Sequence, residues 1–192
     1  MRNYIAALLF IAGVVLISIT GWQFIDAKRQ QKQSTAEAQE MLGKAKDTKP
    51  SRAAFQPQKD ETIGMLRIPK INAVLPIIEG TDPDDLKKGV GHYTSTAFPG
   101  DHNQILLSGH RDTVFRKFGE IEKGDELIVE LPYGTFRYVM DHAKIVPADN
   151  TTVIGSTAPN EVLNVSTCYP FRFVGSAPDR YVIYAYPEEK QS

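Results

Sequence analysis

"DELIVELPYGTFRYVMDHAKIV", residues 125–146, sets two β-rich runs on either side of Pro132-Tyr133-Gly134. β-Branched and aromatic residues dominate both runs, and they suit a pleated, half-buried surface. The short Pro-Tyr-Gly link leaves room only for a tight hairpin turn. This stretch predicts two antiparallel strands and an all-β domain around them.

The pattern repeats along the chain. "TIGMLRIPKINAVLPII" (62–78), "NQILLSGH" (103–110), "NEVLNVSTC" (160–168) and "DRYVIYAYP" (179–187) are further short strand candidates, with Pro69 and Pro76 at edges or bends. Only "TDPDDLKKGVG" (81–91) reads as helix here. Thr81 or Asp82 caps it, Pro83 suits its first position, and Gly89 ends it. About seven or eight strands with little helix predict an antiparallel-rich barrel, closed or nearly so, because closure removes exposed edges. A β-sandwich is the alternative from pattern alone.

The N-terminus is a different material. Residues 4–25 form 22 uncharged positions with Trp22 near the far end. At about 1.5 Å per residue such a helix covers a bilayer core of roughly 30 Å. The run is long for a signal-peptide core, and no clear A-x-A site follows it. An uncleaved transmembrane anchor is expected over 4–25. Residues 26–60 are rich in Gln, Lys, Ala and Ser, and read as a stalk that is part helix and flexible around Pro50 and Pro57. The globular domain is expected over 61–192. Arg2 lies on one side of the span and Lys28, Arg29 and Lys32 on the other, so the charge rule mildly favours a cytoplasmic C-terminal side, a rule that weakens for long translocated domains. A formal net charge of −1 gives no footprint for nucleic acid.

Cys168 is the one cysteine, so it forms no internal disulfide. A buried structural thiol is the plain alternative to a reactive one. Two apolar runs stop at reactive side chains, at Gly109-His110 and at Thr167-Cys168, and a third begins at Arg180. A thiol is mostly protonated at neutral pH, and a nearby imidazole is the group that takes its proton or stabilises its anion. A guanidinium holds a developing oxyanion through directed donors. Spacing alone does not bring them together, since His110 and Cys168 are 58 positions apart.

The segments "GVGHY" (89–93), "FPG" (98–100), "LLSGHRDTVF" (106–115), "VSTCYPF" (165–171) and "GSAPDRYVIYA" (175–185) resemble those of sortases, bacterial membrane-anchored cysteine transpeptidases. The resemblance spans residues 61–187 and is nearest to class D. The family's TLxTC pattern has asparagine at 164 and valine at 165 here. The resemblance implies a closed eight-stranded β-barrel and a catalytic set of His110, Cys168 and Arg180. It implies attack by Cys168 on an LPxTG-like sorting signal after Thr, a thioacyl-enzyme, and release by an amine of a peptidoglycan precursor. It also implies residues 1–3 in the cytoplasm and the domain outside.

Around that set, His92, Thr167 and Arg172 are expected to have at most a secondary, substrate-facing role. Arg111 competes with Arg180, but a strand would turn it to the opposite face from His110. His102 and His142 read as surface or strand residues. Asp82, Asp84 and Asp85 do not have calcium-loop spacing, and no metal or cofactor is expected. The competing functions are a thiol peptidase that mainly hydrolyses and a non-catalytic anchored barrel that binds partners.

Overall fold

The computed structural model describes residues 2–48, 50–173 and 175–188. The strands are β1 (Thr62–Ile68), β2 (Ala73–Glu79), β3 (Val90–His92), β4 (Gln104–Ser108), β5 (Glu126–Leu131), β6 (Gly134–Pro147), β7 (Val162–Tyr169) and β8 (Asp179–Pro187). They close into a barrel in the order β1-β2-β3-β4-β7-β8-β6-β5. The hairpin read from 125–146 is present: Leu131 pairs with Gly134 across Pro132-Tyr133. β6 continues past the hairpin to meet β8, with an irregularity between Met140 and His142.

Two pairings are parallel, β2 with β3 and β4 with β7. The second decides the site. β4 and β7 run the same way, so the residues that follow them emerge at the same end of the barrel. β8 runs antiparallel to β7, so its first residues stand at that end too. Three segments far apart in sequence thus deliver their reactive ends to one place.

The interior is filled by inward residues of every strand, among them Ile63, Leu66, Ile77, Val90, Ile105, Leu107, Leu127, Val129, Leu163, Val165 and Ile183. Fully burying such a side chain is worth about 1.5–3 kcal/mol. The connection after β4 closes one end of this core with Val114, Phe115, Phe118 and Ile121, all buried.

Helix α2 (Pro83–Lys88) starts where its sequence predicts, with Asp82 N donating to Asp85 Oδ2 at 3.0 Å. Helix α1 runs unbroken from Arg2 to Thr48, through most of the stretch expected to be only part helical. Its apolar half exposes Leu8, Phe10, Leu16, Ile17 and Trp22 and is long and apolar enough to cross a membrane. Its second half docks on the barrel. Ser34 and Ala38 are buried there, and Thr62 Oγ1 donates to Glu37 Oε2 at 3.0 Å. Small residues let the helix backbone approach the barrel wall, which explains a docked helix with few large apolar residues.

Candidate active site

β4 and β7 are in register at Leu107↔Val165 and Ser108↔Ser166. The two serines share a face, since their Oγ atoms are 2.9 Å apart. His110 and Cys168 each lie two residues beyond this pair. β7 alternates with period two, so Cys168 joins Ser166 on the same side. On β8, Val182 pairs with Ser166 and Arg180 with Cys168. Directly opposed residues of antiparallel strands project to one face, with Cβ atoms about 4.5–5.5 Å apart.

These side chains line one cleft of about 380 Å³, bordered also by Thr81, Tyr93 and Ile154. A volume of this order suits a few residues of an extended peptide. A larger hollow of about 710 Å³ lies between α1 and the β5–β6 hairpin. It is a gap between helix and barrel, without His110, Cys168 or Arg180 on its walls.

Local packing sets the histidine. Gly109 N donates to Ser166 O at 3.1 Å, and Gly109 O accepts from Thr167 Oγ1 at 2.7 Å. A Cβ at Gly109 would stand 2.5 Å from Phe115 Cε2. Glycine is therefore required for the chain to pass Phe115 and present the next residue. His110 O accepts from Phe115 N at 3.1 Å, folding the connection back so that Phe115 and Phe118 enter the core. Burial pushes the His110 imidazole below its ordinary value; the charge of Asp112 acts upward and that of Lys87 downward. Cys168 is a free, half-buried thiol. Arg180 Nη1 donates to Asp179 O at 3.0 Å and to Ala177 O at 3.4 Å, which holds the guanidinium at the mouth of the β7–β8 connection.

The other sequence candidates separate. Thr167 borders the cleft but is 3% exposed, and its one hydroxyl proton goes to Gly109 O. It joins β7 to the histidine segment and has no proton left for a substrate carbonyl. His92 is not on the cleft. It is buried, with Nδ1 hydrogen-bonded to Glu79 Oε2 at 2.7 Å and Nε2 to Ala97 O at 3.0 Å, and it stacks on Phe98. Both ring nitrogens are committed inside the fold, which removes the substrate-facing role expected of it. Arg172 is exposed on the β7–β8 connection and is not a wall residue of the cleft. Arg111 is not in a strand: it follows β4 in a turn and faces that same connection. The Ser108–Ser166 pair went unread in the sequence. Its signal is the recurrence of serine two positions before each reactive residue, in Ser108-Gly109-His110 and Ser166-Thr167-Cys168.

A thiol, an imidazole and a guanidinium converge on a cleft at the end of a closed eight-stranded barrel. The sortase domain model matches residues 66–188. This chain belongs to the sortase family. It is 46% identical to Sortase D of Bacillus subtilis (strain 168), over 96% of this chain and 98% of that protein. This similarity supports the class D assignment. It is 31% identical to Sortase SrtE1 of Streptomyces coelicolor, over 78% of this chain and 46% of that longer protein. Among solved structures, a Clostridium perfringens Sortase D5 transpeptidase has the same fold, with a TM-score of 0.71 and 23% identity over 83% of this chain and 99% of that one. The SrtA sortase from Actinomyces oris aligns with a TM-score of 0.61 and 27% identity, covering 70% of this sortase and 83% of its own chain. Sortases are cysteine transpeptidases, and the apolar half of α1 fits membrane anchoring of this one.

Proposed function

We propose that Cys168, His110 and Arg180 are the catalytic residues of this sortase. In the proposed reaction, His110 takes the thiol proton of Cys168, and Sγ attacks the threonine carbonyl carbon of an LPxTG-like sorting signal. The carbonyl electrons move onto oxygen, and Arg180 holds that oxyanion through directed N–H donors. The C–N bond then breaks, and His110 protonates the departing amine. The resulting thioacyl-enzyme is released by an amine of a peptidoglycan precursor, with His110 accepting its proton. The acyl group moves from one nitrogen to another, and His110 returns the amine's proton to the departing thiolate, which regenerates the thiol.

The observation that carries this reading is the register Ser108↔Ser166 and Cys168↔Arg180 across β4, β7 and β8. It supports the reading because Cys168 and Arg180 oppose each other across β7 and β8, and the His110 segment leaves β4 beside β7. The helix supports a membrane span, and the proposed topology has residues 1–3 in the cytoplasm and the barrel outside. A crevice bounded by Phe24, Lys28 and Gln31 of α1 and by Thr113 and Arg116 after His110 puts the histidine segment near the end of the apolar span. A lipid-linked acceptor would arrive from that side.

The test is product mass after the full chain, in detergent, meets LPxTG-like and LPxTA-like peptides with an amine acceptor. Transfer after threonine, lost in Cys168→Ala with the fold retained, is the expected result. Products of water attack alone, with amine present in excess, would favour a hydrolase. No reaction of a folded wild type, with Cys168 inert to thiol reagents, would favour a binding module.

A further inference from the structure

Arg111 follows His110 and is 8% exposed. Its Nε donates to Asp112 Oδ1 at 3.0 Å. Nη1 donates to Pro170 O at 3.1 Å, and Nη2 to Phe173 O at 2.7 Å and Gly175 O at 2.9 Å. Three of these four acceptors belong to the connection between β7 and β8, which has Cys168 just before it and Arg180 just after. The guanidinium therefore bonds the segment of the histidine to the segment joining the other two candidate catalytic residues.

The other side of His110 is tied down as well. Gly109 exchanges hydrogen bonds with Ser166 O and the Thr167 hydroxyl. His110 thus sits between two anchors, one on the strand of Cys168 and one on the connection after it. Phe171 of that connection packs against Gly119 and the Tyr181 ring, so apolar contacts close the same seam. Without the guanidinium, three carbonyls of the connection lose the donor that ties them to the His110 segment. A lysine supplies donors from a single point and does not span carbonyls of three separated residues.

We infer that Arg111 is a positioning residue for the transfer reaction: it latches the β7–β8 connection to the segment of His110 and so fixes the imidazole beside the thiol. This rests on the catalytic reading above. Geometry errors near 1 Å at a reacting group cost on the order of 10²-fold in rate, so the latch belongs in kcat.

The experiment compares wild type, Arg111→Lys and Arg111→Ala as full chains in detergent. Hydrogen exchange is followed over 109–117 and 170–178, and kcat and KM are measured for peptide-to-amine transfer. Both segments are expected to exchange faster by about tenfold in the variants while β1, β5 and β6 keep wild-type protection. kcat is expected to fall about 10²-fold with KM changed little, and lysine is expected to recover little of the loss. Wild-type exchange in both segments overturns the latch. Faster exchange with wild-type kcat, or a loss confined to KM, overturns the positioning role. If Arg111→Ala does not fold, Arg111→Lys decides by the same criteria. Absence of transfer by the wild type would count against the catalytic reading, and exchange would still judge the latch.

Discussion

Cys168 and Arg180 stand directly opposite each other in the β7–β8 ladder. The pleat alone projects both side chains to one face of the sheet. This juxtaposition makes the chemistry of the cation testable apart from its charge. Arg180→Lys keeps a positive group and loses the planar fork. Loss of one oxyanion donor typically costs about 10²–10³-fold in kcat. Arg180→Lys is therefore expected to lose about 10²-fold in kcat, with Cys168 still alkylated by a small thiol reagent. Turnover near wild type would take the oxyanion role away from Arg180.

The charge environment of His110 gives a pH prediction. Burial lowers its pKa, Asp112 works against this, and Lys87 adds to it. Because the folded value lies below the unfolded one, the unfolded chain takes up this proton first as pH falls. The stability linked to neutral His110 is present above the ordinary imidazole value and is lost as pH falls through the folded value. Lys87→Gln should move the His110 midpoint upward, and Asp112→Asn should move it downward. An NMR titration of the ring CεH in each variant measures this. Midpoints unmoved in both variants, or moved in the opposite directions, would contradict the assignment.

Asn164 replaces the threonine of the family's pattern, and it is 1% exposed. Its Oδ1 accepts from Gln104 Nε2 at 2.8 Å, and its Nδ2 donates to Ile183 O at 3.2 Å. The same Gln104 Nε2 donates to Val153 O at 2.7 Å, and Gln104 Oε1 accepts from Gly155 N at 2.8 Å. The network joins β4, β7 and β8 to the 151–155 segment, which borders the cleft. Asn164→Leu removes partners from a buried amide and a buried carbonyl, at about 1–3 kcal/mol. Thermal unfolding should shift down by several degrees, at about 2–4 °C per kcal/mol for a protein of this size. An unchanged melting temperature would show that the network contributes nothing net.

What the sequence disclosed, and what it hid, divides along local and non-local information. β5, β6, β7 and β8 were legible because apolar and β-branched residues recur within each run. β3, only Val90–His92, is too short to leave a pattern. The parallel pairing of β4 with β7 was invisible from composition, because no local signal records a register between segments 58 positions apart. His110, Cys168 and Arg180 could be named from resemblance, but the serine pair and the Asn164–Gln104 network depend on that register. The helical composition of 34–46 was legible, but the docking of α1 on the barrel was hidden for a related reason. Its docked half buries Ser34 and Ala38, and small residues leave no apolar stripe in the sequence. Strand alternation would turn Arg111 away from His110, but the chain leaves β4 at Ser108, and turn geometry aims the side chain instead.

His92 shows how far burial changes a reading. It is 1% exposed, and Glu79, its 2.7 Å partner, is 5% exposed. The pair lies where β2 and β3 run parallel, and Glu79 and His92 are register partners there. Removing one member of a buried hydrogen-bonded pair leaves the other without compensation, a loss of about 3–5 kcal/mol for charged groups. His92→Ala should therefore lower the melting temperature by roughly 10 °C. The cleft is walled by other residues, so kcat at a temperature where the variant is fully folded should stay within about threefold of wild type, far short of the 10²–10⁴-fold that a general acid–base residue supplies. His110→Ala is the contrast, with transfer lost and the melting temperature nearly kept. A folded His92→Ala that melts like wild type but no longer transfers would reverse the assignment of the two histidines.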